Sequence, residues 1–129
     1  MSPITESRKT ATPDRMSPTG LVCLRSDTVG MAHVVVAGEL DIASCPQLDR
    51  EVRGAPDDIG TIVLDLREVT FMDSSGLGAI VGQHKRARER GFRFAVAVDG
   101  AAAVERILVL AQLTQVLEVV RTPDEALPA

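Results

Sequence analysis

Six consecutive residues, Asp73-Ser74-Ser75-Gly76-Leu77-Gly78, bring two hydroxyls, a carboxylate and two glycines together. The apolar run before them and the helix-period pattern after them put this segment where a strand feeds a helix. Free backbone N–H groups and the positive end of a helix dipole favour an anion there by roughly 0.3–1 kcal/mol. A serine phosphorylated at that point gains about −1.5 to −2 charges. The helix terminus would partly compensate that charge in the isolated domain. A partner packed on the same spot would have to desolvate the phosphate or meet it with its own acidic groups. Gly76 and Gly78 strip side chains from the first turn and would let another protein approach the backbone. A purely structural reading suits the same residues, with Ser74 and Ser75 as helix caps and the glycines as turn and packing residues.

Other chemistries fit less well. Gly76, Gly78 and Gly82 follow a strand, open a helix and precede Asp99, which echoes a dinucleotide-binding fingerprint. The glycine spacing is off by one, however, and Asp73-Ser74-Ser75 stands where a tight apolar turn belongs. A nucleophile elbow needs glycine two residues before its serine, where Ser74 has Met72 and Ser75 has Asp73. His33 opens a strand and His84 falls on an apolar helix stripe, so both read as packing residues. No phosphate-loop motif occurs. Cys23 and Cys45 have neither the number nor the spacing of a zinc site or a disulfide framework. No metal, cofactor or catalytic role is expected: the protein reads as a substrate rather than an enzyme.

The 129 residues suit one domain, at 45% hydrophobic and 25% charged. With three Phe, no Trp and no Tyr, there is no aromatic platform for stacking bases. Residues 21–129 carry 11 basic against 16 acidic groups, a poor match for phosphate backbones. No apolar run reaches the roughly 20 residues of a membrane span. Residues 1–20, rich in Ser, Thr, Pro and charge, lack a signal-peptide core and read as a disordered tail before a domain at 21–129. A cytoplasmic location is expected.

The elements that must position the hexapeptide follow from periodicity. Strands are expected at Leu21–Arg25 and His33–Gly38, paired antiparallel across a turn at Asp27–Gly30. Ser44 as N-cap, with Pro46 and Gln47 in a capping-box pattern, starts a helix that runs to about Arg53 and carries Leu48 and Val52 inward. Gly54–Gly60 breaks the chain. Thr61–Leu66 is continuously apolar apart from Asp65, as in a strand covered on both faces. A second helix spans about Ser75–Arg90, with Leu77, Ile80, Val81, His84 and Ala87 inward and Lys85, Arg86, Arg88, Glu89 and Arg90 in solvent. A strand at Phe92–Val98, a helix at Ala101–Leu110, a strand at Val116–Val120 and a final helix capped by Thr122 complete the order. The alternation predicts an α/β domain: a mainly parallel mixed sheet, an antiparallel leading strand and about four helices.

Phe71-Met72-Asp73-Ser74-Ser75-Gly76-Leu77-Gly78, with Gly38-Glu39-Leu40-Asp41 about 35 residues upstream, resembles the two signature segments of the bacterial anti-sigma factor antagonists of the STAS family. The similarity runs in order from about Leu21 to Leu127. It implies a STAS-type single domain. It also implies Ser74 as the acceptor phosphorylated by an ATP-dependent anti-sigma factor serine kinase, with Ser75 as the helix cap. By the same resemblance, the unphosphorylated antagonist binds that kinase and frees the sigma factor. The phosphorylated form lets go, and a metal-dependent phosphatase of the PP2C type restores it. Gly38, Glu39, Asp41, Asp73, Ser75, Gly76, Leu77 and Gly78 map to the implied partner-binding surface, although Asp41 suits a turn before Ser44 equally well. The resemblance also leaves an alternative for this chain: some members of the family use the same fold, without phosphorylation, as scaffolds in stress-signalling assemblies or as accessory subunits of lipid transporters. This chain departs from the family pattern in its long N-terminal extension and its short final helix.

Overall fold

The computed structural model describes residues 20–127. The tail read from residues 1–20 lies outside them, apart from Gly20. The described chain forms β1 (Leu21–Thr28), β2 (Met31–Leu40), α1 (Cys45–Arg53), β3 (Thr61–Met72), α2 (Ser74–Glu89), β4 (Arg93–Ala97), α3 (Ala102–Leu110) and β5 (Glu118–Val120). Spatial order equals chain order, β1-β2-β3-β4-β5. Among the described strands only the β1–β2 pair is antiparallel, with Leu21 opposite Gly38 and Thr28 opposite Met31. The remaining strands are parallel and joined by helical crossovers.

All three helices pack on one face of the sheet. Leu48 and Val52 of α1, Ile80 and Ala87 of α2, and Val104 and Leu108 of α3 share a core with Val34, Val36, Ile62, Leu64 and Leu66. The opposite face is closed by other means. Met31, Val63, Ala95, Ala97 and Val120 pack with Ala126, which belongs to a single 3-10 turn at Pro123–Ala126. The both-face burial expected of Thr61–Leu66 therefore exists, but a C-terminal turn supplies one cover where a helix layer would ordinarily do so.

β1 and β2 run further toward their shared turn than expected, to Thr28 and from Met31, and β5 starts only at Glu118, but the largest differences in extent are in β3 and the final helix. β3 continues six residues past Leu66, because Val69 and Met72 keep returning to the core while Glu68 and Thr70 face out. The final helix is only the 3-10 turn, leaving three α-helices among the described residues. Thr122 makes no side-chain cap bond; the Glu125 carboxylate accepts instead from the Arg121 N–H at 3.0 Å, and Leu127 is already extended.

Register decides where the two signature segments meet. Leu40 pairs with Met72, so β2 and β3 end side by side and the segments leaving them are neighbours. Below that end, α1 and α2 are tied by Asp49, whose Oδ1 accepts from Gln83 Nε2 at 2.9 Å and Arg86 Nη1 at 2.8 Å. Arg86 is thus half-buried and paired, not a solvated surface residue. On the opposite face Asp65, 2% exposed, accepts from Arg67 and hydrogen-bonds His33 Nε2 at 2.9 Å. His33 is therefore part of a polar cluster, not an apolar packing residue.

Burial alone would raise the pKa of both carboxyl groups, but it is outweighed. Bonds from His33 and Arg67 hold Asp65 well below the usual range. Bonds from Gln83, Arg53 and Arg86 bring Asp49 down to about 2. A carboxylate whose folded pKa lies below its unfolded value of about 4 stabilises the fold above that value and loses this contribution as pH falls. The urea midpoint is therefore expected to hold near neutrality and drop steadily below about pH 5. Asp65→Asn should lower the midpoint at pH 7 and flatten the acid slope; a slope identical to that of the unaltered protein would contradict this.

Candidate functional site

Met72 is buried at the end of β3 and delivers the chain to Asp73 in extended conformation, φ −112° and ψ −170°. From there the Asp73 Oδ1 reaches forward and accepts from Ser75 N at 2.9 Å and Gly76 N at 3.0 Å. Asp73, not Ser75, is therefore the N-cap of α2, because an aspartate one position before the helix reaches both early amides. This also corrects the expectation that those amides would receive a phosphate. They already hold a carboxylate, and a phosphoryl group on Ser74 would join negative charge.

Ser74 becomes the first residue of α2. It is exposed, and its hydroxyl makes no hydrogen bond among the described residues. Ser75 is half-buried; its carbonyl accepts from Cys45 Sγ at 3.4 Å.

The facing wall is the turn after β2. Asp41 Oδ1 accepts from Ala43 N at 3.1 Å and Ser44 N at 3.2 Å, so Asp41 fills the turn role. Ser44 is wholly buried, and its hydroxyl accepts from Asp41 N and donates to the Glu39 carbonyl, each at 2.9 Å. It stands at the N-cap position of α1 without capping it. The capping box is not formed; Gln47 Nε2 instead donates to the Leu21 carbonyl at 3.0 Å. Burial first, then the Asp73 and Asp41 carboxylates, pushes the Cys45 thiol pKa up, so the two acids flank one small region. No sequence signal links Cys45 to Ser75, 30 residues apart; only the strand register brings them together.

The glycines divide by role. A Cβ on Gly76 would sit 2.4 Å from the Leu40 carbonyl oxygen, so this buried glycine lets α2 start against the end of β2. Gly76 therefore presents little surface to a partner. Gly38 has φ +102°, and a Cβ there would lie 2.2 Å from the Gly20 carbonyl oxygen. Gly78 is exposed and would place a Cβ in open space. Glu39 is exposed, while Leu77 is half-buried and packs on the core.

His33 is committed to Asp65, and His84 is buried edge-on to Phe94 at 6.0 Å, where burial and then Arg88 lower its pKa. Among the described residues no group of three or more His, Cys, Asp or Glu could hold a metal ion. No described helix is long and apolar enough to cross a membrane.

A five-stranded sheet with one antiparallel leading pair, and a serine-bearing strand-to-helix junction at its rim, matches a known family. The chain belongs to the STAS domain family, which residues 26–126 match. It is 33% identical over 94 residues to the anti-sigma F factor antagonist of Paenibacillus polymyxa, covering 70% of this chain and 78% of that protein. With the anti-sigma-B factor antagonist of Bacillus subtilis it shares 34% identity over 59 residues, 46% of this chain and only about half (54%) of that relative's length. The crystal structure of an anti-sigma factor antagonist from Mycobacterium paratuberculosis superposes with a TM-score of 0.72 at 26% identity, covering 85% of this chain and 93% of that one.

Gly76 and Gly78, two of the three glycines of α2, offer a direct test of the loop contact. Gly76→Ala should cost about 1–3 kcal/mol by driving a methyl into the Leu40 carbonyl. Gly78→Ala should be neutral or stabilise by up to about 1 kcal/mol through helix propensity. Urea denaturation of both checks this; equal midpoints would show that the junction is looser than described.

Proposed function

We propose that this protein is an anti-sigma factor antagonist switched by phosphorylation of Ser74. Unphosphorylated, it binds a cognate anti-sigma factor, an ATP-dependent serine kinase, and so releases a sigma factor. Phosphorylated, it dissociates until a PP2C-type phosphatase restores the hydroxyl. In this reading the domain, residues 21–129, is a substrate and binding module without catalysis of its own, acting in the cytoplasm.

The observation that carries the reading is the state of Ser74: exposed, without a hydrogen-bond partner among the described residues, and projected from a turn fixed on both sides. A kinase can reach such a hydroxyl without unfolding anything. The names of the relatives in Paenibacillus, Bacillus and Mycobacterium support the same assignment.

The electrostatics suggest how release works. Asp73 and Asp41 have their hydrogen bonds satisfied by local amides, so the unmodified site carries charge that is already compensated. A phosphate on Ser74 finds those amides taken. Water solvates it in the free domain, and a partner packed on the rim strips that water away. Burial of an unpaired dianion is strongly unfavourable. Gly38, Asp41, Asp73 and Gly76 support the surface from within, while Glu39, Ser75, Leu77 and Gly78 border Ser74 as contact candidates.

Incubation with the anti-sigma factor kinase and ATP, followed by mass spectrometry, should find phosphate on Ser74 alone. Ser74→Ala should bind the kinase as the unphosphorylated protein does, and Ser74→Asp about a hundredfold more weakly, equivalent to about 2.8 kcal/mol. Transfer confined to Ser75, or equal calorimetric affinities for the two variants, would overturn the assignment.

A further inference from the structure

Large apolar side chains that stand in water need an explanation when they crowd one place. Among the described residues, Val29, Ile42, Phe71, Val109, Leu110, Val116 and Leu127 are the exposed ones. Two of them border the Ser74 rim. Ile42 is 75% exposed and lies in the turn between Leu40, whose carbonyl abuts Gly76, and the buried Ser44. Phe71 is 48% exposed, two residues before the Asp73 cap, and pairs with Glu39 across β2–β3.

Nothing local requires either residue to be apolar. Ile42 is followed by Ala43 and Ser44, whose amides satisfy Asp41, and the turn would close equally well around a polar side chain. Phe71 leaves the core to its neighbours Val69 and Met72, which are 5% and 4% exposed. The chain has three phenylalanines in all; Phe94 is buried and Phe92 half-buried, so Phe71 is the one left in solvent.

We infer that Ile42 and Phe71 are the apolar anchors by which this domain docks onto the anti-sigma factor kinase, inserting from the rim that carries Ser74 into apolar recesses of that protein. The inference rests on the phosphorylation reading above, which supplies the occupant. The hydroxyl of Ser74 sits on a fixed turn, so a protein that brings ATP to it must also cover the side chains at the ends of β2 and β3. A specific interface needs about 800 Å² from each partner, far more than one serine offers, and its affinity concentrates in a few large, fully desolvated side chains.

The inference also accounts for the direction of the switch. Two apolar anchors make the contact around Ser74 dry. Added charge therefore meets a desolvated environment in the complex, and only there. Val109, Leu110 and Val116 lie where α3 returns to the start of β5, at the other end of the parallel strands from Ser74, and serve as internal controls.

The test uses the full chain and the kinase that modifies Ser74. Calorimetric affinity is measured for the unaltered protein and for Ile42→Ser, Phe71→Ser and Val109→Ser, with thermal melts to check folding. Ile42→Ser and Phe71→Ser are expected to weaken binding at least tenfold each, with unchanged melts, while Val109→Ser binds as the unaltered protein does. If Ser74 is phosphorylated and both rim variants bind within threefold of the unaltered protein, the anchors are refuted and the phosphorylation switch stands. An equal loss in Val109→Ser would also refute them, since apolar exposure anywhere would then serve. If the kinase neither binds nor modifies the unaltered protein, the functional reading falls and the anchors fall with it.

Discussion

The approach of Gly76 to the Leu40 carbonyl governs the working end of this molecule. A Cβ at that position would sit 2.4 Å from the oxygen and 2.9 Å from Met72 Cγ, so no other residue fits without moving a strand or a helix. Because the contact is that close, α2 begins directly against the end of β2. The Asp41 turn and the Asp73 cap are thereby held as neighbours, with Cys45 reaching the Ser75 carbonyl between them. Each turn is closed by its own carboxylate, and the buried Ser44 hydroxyl ties the first turn back to Glu39. Rigidity at the rim thus arises from short-range hydrogen bonds on a long-range register.

That arrangement commits Asp41, Ser44 and Asp73 to internal hydrogen bonds, whereas the exposed Ser74 hydroxyl makes none among the described residues. A switch of this kind needs no second conformation. In the switch proposed above, phosphorylation of Ser74 would change what the surface costs to bury and leave the hydrogen bonds beneath it intact. The remainder of the domain provides a stable base: a helix-covered core on one face, and the Asp65 cluster with the C-terminal turn on the other.

Much of this was legible in the sequence, for physical reasons that differ by element. Strand and helix periodicities located β1–β4 and the three α-helices, since each buries one regular stripe. The hexapeptide announced itself by composition. What periodicity could not reveal was which oxygen would take which amide. Ser75 and Asp73 are both good caps, and Asp73 prevails because β3 runs on to Met72 and presents it in extended conformation one residue earlier. Ser44 and Gln47 satisfy a capping-box pattern yet bond elsewhere, because Glu39 and Leu21 offer carbonyls from adjacent strands. His33, Asp65 and Arg86 likewise depend on partners 32 and 37 residues distant, which local pattern cannot supply. The final helix failed because four residues between Thr122 and Leu127 allow only one 3-10 turn.

The central claim is that charge arriving at Ser74 acts locally, on an unchanged fold. Backbone amide spectra of the unphosphorylated and Ser74-phosphorylated domains compare the two states residue by residue. Chemical-shift changes confined to residues 39–45 and 71–79 are predicted, with the amides of β1, β4, β5 and α3 unmoved. Shifts spread through the sheet and α3 would mean that phosphorylation reorganises the domain, and a purely local electrostatic switch would be wrong.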